Sequence, residues 1–194
     1  MRHPRILVFA GSTRGGSINA RLAAAAVKEL ALADAEVTRI SLADYPLPIY
    51  NGDLEDEHGV PEPAKRLVRH FLSHHGILVV TPEYNASIPA LLKNTLDWMS
   101  RRGAAGQPYE SPFRNRVFAI SAATNGQFGG IRALMALRPI LELGLGATVI
   151  PEQLALARAE NGFGENGSLL DEHDAGSLRR VTTRLIEEAV RYTL

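Results

Sequence analysis

An apolar run, Arg5-Ile6-Leu7-Val8-Phe9-Ala10, breaks at once into Gly11-Ser12-Thr13-Arg14-Gly15-Gly16-Ser17-Ile18-Asn19 and then enters an Ala/Leu-rich stretch from Ala20 to Ala33. A short, nearly continuous apolar run suits a parallel strand buried on both faces. Ile18, Leu22, Ala25, Ala26, Leu30 and Ala33 recur at helical spacing, so a helix lays this stripe on the sheet. A strand that turns through glycines into a helix leaves backbone N–H groups unpaired at the helix N-terminus, where the aligned peptide dipoles favour negative charge. The hydroxyls of Ser12, Thr13 and Ser17 and the guanidinium of Arg14 add further donors. That is the chemistry of a phosphate seat. The competing explanation is a plain turn in which the glycines permit the bend and Ser17 caps the helix.

The same alternation continues along the chain. Glu36 to Ser41 alternates like a strand near a sheet edge, Ile77 to Thr81 is the most apolar strand, and Val117 to Ser121 and Ala147 to Ile150 follow. Helical patterns lie between them. One starts at Pro61 or Pro63 and closes near Gly76, with Leu67, Val68, Phe71 and Leu72 inward. Another runs from Pro89 to about Ser100, a third from Ile131 to about Leu143, and the last from about Glu172 to Tyr192. Pro139 falls inside the third and predicts a kink or a break. The acidic run Asp53 to Glu57 reads as a solvated loop face, 101–115 as a Gly/Pro-punctuated connection, and Leu154 to Ser168 as a loop. Strand and helix alternate five times, which predicts an α/β fold, a doubly wound parallel sheet with helices on both faces; its five strands are taken in the order 2-1-3-4-5. The 194 residues fit one domain, taken as 1–194.

Composition removes several function classes. Lysine plus arginine and aspartate plus glutamate number 21 each, so no net field recruits nucleic acid or an anionic membrane. The chain has no cysteine, which excludes disulfides, thiolate nucleophiles and Cys-ligated metals. No signal-peptide core and no uncharged run of spanning length is found, so a cytoplasmic protein without membrane partners is expected. His70 and His74 stand at i, i+4 but lack a third ligand, and no metal is expected.

In an open parallel sheet the ligand sits beyond the C-terminal strand ends where the winding reverses. Strands 1, 3 and 4 are central neighbours in the predicted order, and each discharges into an unusual loop. The first carries phosphate donors. The second, Pro82-Glu83-Tyr84-Asn85-Ala86-Ser87-Ile88-Pro89, offers a flat aromatic between shape-fixing prolines. The third, Thr124-Asn125-Gly126-Gln127-Phe128-Gly129-Gly130, offers bare backbone amides that a planar ring can approach. A phosphorylated ligand with a flat heterocycle suits that set. The first loop has no lysine for a P-loop and no G-x-G-x-x-G for a dinucleotide turn, and strand 1 ends without the acids of a receiver domain. FMN is the best-fitting ligand.

These segments resemble the signatures of the flavodoxin-like NAD(P)H-dependent FMN reductase family, whose members include quinone, azo-dye and chromate reductases. Gly11-Ser12-Thr13-Arg14-Gly15-Gly16-Ser17-Ile18-Asn19 is similar to its G-S-x-R-x-x-S-x-N phosphate loop. Pro82 to Pro89, followed by Leu92-Lys93-Asn94 and Asp97-Trp98, is similar to P-E-Y-N-x-S-x-P…L-K-N-x-x-D-W, and Thr124-x-Gly126-x-x-Gly129-Gly130-x-Arg132 to its third loop. The resemblance implies that Ser12, Arg14, Ser17 and Asn19, with Ile18 among them, hold the FMN phosphate. Pro82, Glu83, Tyr84 and Asn85 would line the isoalloxazine, and Thr124, Asn125 and Gly126 would support its other edge. Glu83 is expected to turn its backbone N–H to the flavin and expose its side chain, while Lys93, Asn94, Asp97 and Trp98 order their helix.

The activity so implied is hydride transfer from NAD(P)H through bound FMN to a small-molecule acceptor such as a quinone, azo compound, chromate or free flavin, by a ping-pong scheme without a catalytic side chain. A homodimer or homotetramer with helices beside the flavin at the interface is implied as well. The alternatives are a flavodoxin-type electron-transfer module, which would be expected to be markedly acidic, and a non-catalytic flavin-binding protein.

Overall fold

Alternation along the first strand decides how the layers form. In the computed structural model, which describes residues 3–104 and 110–193, β1 (Arg5–Ala10) sends Ile6, Val8 and Ala10 into one apolar cluster and Leu7 and Phe9 into another. Successive strand side chains point to opposite faces, so a strand apolar on both must lie between two layers. Helices α1 (Ile18–Leu32) and α6 (Glu172–Val190) cover the first face through Leu22, Ala26, Leu178 and Leu185. Helices α3 (Glu62–Leu72), α4 (Ala90–Met99) and α5 (Ile131–Pro139) cover the second through Leu67, Phe71, Leu92, Leu96 and Leu134.

The remaining strands are β2 (Glu36–Ser41), β3 (Gly76–Thr81), β4 (Val117–Ala123) and β5 (Thr148–Leu156). All pair in parallel in the order β2-β1-β3-β4-β5. Every residue of β3 and β4 is buried, whereas β2 at the edge is half-exposed along its length. The winding reverses between β1 and β3, so the loops after these strands and after β4 stand side by side.

Two local expectations change, and the break expected at Pro139 is found. Asp53 to Glu57 is not a loop but lies within a short helix, α2 (Gly52–His58). Asn51 Oδ1 accepts the Asp53 N–H at 2.9 Å as its cap, and Asp53 and Glu55 occupy the electropositive first turn. Glu55 is held further by the Tyr50 hydroxyl at 2.9 Å and Arg101 Nε at 2.8 Å. Strand β5 does not stop at Ile150 but continues to Leu156. Pro151 is accommodated because the strand is at the sheet edge and shifts register there, Phe118 pairing with Val149 and Ile120 with Gln153. The proline expected to disturb α5 ends it, and the chain runs on as a π turn, Ile140–Gly144, closed by the Leu145 N–H to the Ile140 carbonyl at 3.0 Å. Of the connection 101–115, residues 105–109 lie outside the described residues.

Candidate functional site

Ser17 is the N-cap of α1, its Oγ accepting the Ala20 N–H at 3.4 Å, and Ser12 Oγ accepts the Arg14 N–H at the same distance. A hydroxyl that accepts still has its own proton to donate. Arg14 is exposed and pairs with no carboxylate among the described residues. A Cβ placed on Gly15 or Gly16 would meet nothing within 4 Å, so the backbone of this loop faces open space. Asn19 differs from its neighbours. It is buried, and its side-chain amide is spent in both directions on one residue of β4: Nδ2 donates to the Ala123 carbonyl and the Ala123 N–H donates to Oδ1, each at 2.9 Å. Asn19 therefore straps the first loop to the third strand end through its oxygen and one amide N–H, and its second amide N–H is left over.

The second loop is fixed by its own bonds. The Tyr84 N–H donates to the Ser87 carbonyl at 2.9 Å and the Ser87 N–H returns to Tyr84 at 3.0 Å. Asn85 and Ala86 between them have φ of 50° and 62°. Two consecutive left-handed residues inside such a pair make a type I′ turn, which reverses the chain tightly and thrusts Tyr84 outward, 55% exposed. Glu83 corrects the expectation of an exposed side chain. Only 7% of that side chain is accessible. Its Oε2 accepts the Arg132 N–H at 3.1 Å and the Ala133 N–H at 3.4 Å, capping α5, and its Oε1 pairs with the Arg132 guanidinium. The carboxylate thus ties the second loop to the helix that follows the third.

The third loop is braced from behind by the end of β5 and the segment after it. The Thr124 N–H donates to the Leu156 carbonyl and the Ala159 N–H to Thr124, both at 3.0 Å, and the Arg158 N–H reaches the Gly126 carbonyl at 3.2 Å. Gly129, at φ 61°, lies so close to β5 that a Cβ would run into the Ala155 carbonyl.

Together the loops enclose a cleft of about 350 Å³. Ser12, Arg14, Ser17, Ile18 and Asn19 of the first loop line it, together with Pro82, Glu83 and Tyr84 of the second and Thr124 and Asn125 of the third. Of the residues expected from sequence, Asn85 and Gly126 fall outside this wall, the first within the turn and the second behind it. Four wall residues lie outside the predicted set: Gly16, Arg21, Ala123 and Glu160. Arg21 carried a detectable signal, one helical turn beyond Ser17; Glu160 carried none, because its segment has no periodicity.

Neighbouring polar groups are occupied elsewhere. Trp98 Nε1 and Asn94 Nδ2 both donate to the Pro48 carbonyl, at 2.8 and 2.9 Å, and Asn94 Oδ1 accepts the Tyr50 N–H at 2.8 Å. These bonds dock the proline-rich loop on α4, while Lys93 and Asp97 pair with each other at 2.7 Å. His70 Nε2 meets the Tyr45 hydroxyl at 2.9 Å and His74 Nδ1 the His70 carbonyl at 2.6 Å, and burial pushes both imidazoles below the ordinary histidine pKa.

Comparison with known proteins points the same way. The family described as NADPH-dependent FMN reductase matches residues 4–161. A quinone reductase of Escherichia coli is 34% identical over 138 residues, spanning 71% of this chain and 69% of the relative. The NAD(P)H-dependent FMN reductase PA1204 of Pseudomonas aeruginosa is 34% identical over 169 residues, 87% of this chain and 85% of the relative. Among solved structures, FerB of Paracoccus denitrificans, a flavoenzyme NAD(P)H:(acceptor) oxidoreductase, superposes with a TM-score of 0.76 at 28% identity over 97% of this chain and 98% of its own.

Proposed function

This chain belongs to the NADPH-dependent FMN reductase family, and from that premise we propose that the cleft seats FMN and serves electron transfer from NAD(P)H to a small-molecule acceptor. The observation that carries the reading is the contrast between the loops that line one cleft. The first loop presents unspent donors at a helix N-terminus; the second presents the exposed flat ring of Tyr84. A phosphate monoester with a planar heterocycle has that same polarity. The residues present therefore fit the cofactor.

In this reading Ser12, Arg14 and Ser17 donate to the phosphate, and Ile18 contributes apolar contact beside them. Asn19 holds the first loop against Ala123 through its oxygen and one amide N–H and has the second N–H to give to the phosphate. Pro82, Glu83 and Tyr84 form one wall of the ring site, shaped by the turn at Asn85, and Thr124 and Asn125 form the other, supported by Gly126. When bound, FMN supplies the redox chemistry, accepting hydride from nicotinamide and releasing electrons to a quinone, an azo compound, chromate or free flavin. The protein positions the reactants and excludes competing geometry; no side-chain acid or base is required. The exposure of Met135 (68%) and Leu143 (87%) on α5 and its π turn supports a homodimer or homotetramer that covers this face.

Anaerobic stopped-flow mixing of the flavin-loaded protein with NADPH or NADH tests the assignment. Bleaching of the flavin absorbance on the timescale of turnover is the expected result. A flavin that binds but does not bleach with either nicotinamide would leave the electron-carrier alternative in its place.

A further inference from the structure

The segment between β5 and α6 contributes more than support, because two of the cleft's wall residues are set by it. We propose that Arg21 is the second cation of the phosphate seat, held in place by Phe163, and that the Glu160 carboxylate opposes it and limits cofactor affinity. The proposal rests on the FMN reading above.

Arg21 lies four residues after the Ser17 cap, and its N–H donates to the Ser17 carbonyl at 3.0 Å. Residues at i and i+4 share one helix face, and helical side chains lean toward the N-terminus. The Arg21 side chain is therefore carried back toward the seat formed by Ser12, Arg14 and Ser17, and it lines the same cleft. Its guanidinium does not drift. The Cζ sits 4.4 Å from the centroid of the Phe163 ring, and Nη1 approaches the Glu160 carbonyl at 3.5 Å. Phe163 is itself buried in the core beneath α1 and α6 and pairs with Leu169 across the segment, so the surface on which Arg21 lies is fixed. One long contact to a carbonyl leaves most of the guanidinium's five N–H groups free. A phosphate monoester carries close to two negative charges near neutrality, and Arg14 alone neutralises one. Arg21 supplies the other from a prepositioned site, which lowers the ordering cost of binding.

Glu160 has the opposite sign. It lines the cleft, and its carboxylate has no ion-pair partner among the described residues. A negative group beside a seated dianion raises the free energy of the complex, so affinity reflects a balance between Arg21 and Glu160 set by a segment far along the chain from the phosphate loop.

Titration of the intact, flavin-free chain with FMN and with riboflavin, read by flavin fluorescence, decides the matter. Arg21→Ala should weaken FMN binding about tenfold, the worth of a charge-assisted hydrogen bond, and leave riboflavin binding unchanged. It should also flatten the salt dependence of FMN affinity. Arg21→Lys should fall between the two, and Glu160→Gln should tighten FMN about threefold, as expected for loss of one exposed opposing charge. Equal weakening of FMN and riboflavin by Arg21→Ala would overturn the proposal, showing that the Arg21–Phe163 contact only pins the segment. No change in either would overturn it as well. A wild-type chain that fails to prefer FMN over riboflavin would instead remove the FMN reading itself.

Discussion

The first loop and the two that face it solve opposite problems. In the first loop Ser12 and Ser17 keep their hydroxyl protons and Arg14 its guanidinium uncommitted, with open space around Gly15 and Gly16. The loops at Pro82 to Pro89 and Thr124 to Gly130 have spent nearly everything: a self-bonded turn, a buried carboxylate on α5, and three backbone bonds to the end of β5 and the segment after it. The difference follows from what each loop must hold. A phosphate is recognised by donors, and donors satisfied by the protein cannot serve it. A planar ring is recognised by shape, and shape is worth most when it does not relax on binding. Substitutions in the facing loops should therefore be felt first in stability, and those in the first loop first in affinity.

The largest effect is expected at Gly129. Alanine there meets the Ala155 carbonyl and keeps an unfavourable φ, which should cost about 4 kcal/mol of unfolding free energy. Gly16→Ala, also at positive φ but with nothing within 4 Å, should cost about 1 kcal/mol. Urea unfolding of the two variants measures both, and equal losses would break the contrast between a braced loop and an open one. Asn19→Ala is next. It leaves the buried N–H and carbonyl of Ala123 unpaired and should cost about 2 kcal/mol, although Asn19 belongs to the first loop. A stability loss near zero would show that the strap is not formed in solution. Arg14→Ala should leave unfolding unchanged and weaken FMN binding about tenfold while sparing riboflavin. Equal losses for the two flavins would show that the loop seats something else.

The layered fold was legible because its signals are additive over many residues. Five strand patterns and five helical stripes needed no single residue to be read correctly, and the observed sheet order is one of the two common doubly wound orders. The features missed depend on one contact each. Helix α2 has seven residues, too few to show a period, and forms through the Asn51 cap. The run of β5 past Pro151 depends on an edge position that only pairing reveals. At the site, the residue set could be read but not the division of labour within it. Asn19 and Glu83 sit in their motifs as donors or exposed acids do, yet both are engaged by backbone groups roughly 50 to 100 residues away in sequence. Long-range hydrogen bonds leave no local pattern.

The smallest effect has the opposite sign and sets the finest limit on the comparison. Type I′ turns favour Asn-Gly because both central residues need positive φ; here the pair is Asn85-Ala86, with Ala86 at φ 62°. Holding an L-residue there costs about 1–2 kcal/mol, while glycine's greater freedom in the unfolded chain gives back roughly 0.5–1 kcal/mol. Ala86→Gly should therefore stabilise the protein by about 0.5 kcal/mol, a shift visible in the urea midpoint. The accompanying change in FMN affinity separates two accounts of the strain. If the alanine only burdens the turn, the variant binds FMN as before. If it stiffens the hinge that holds Tyr84 outward, the more stable variant binds FMN more weakly, because part of the ring wall must then be ordered at each binding event.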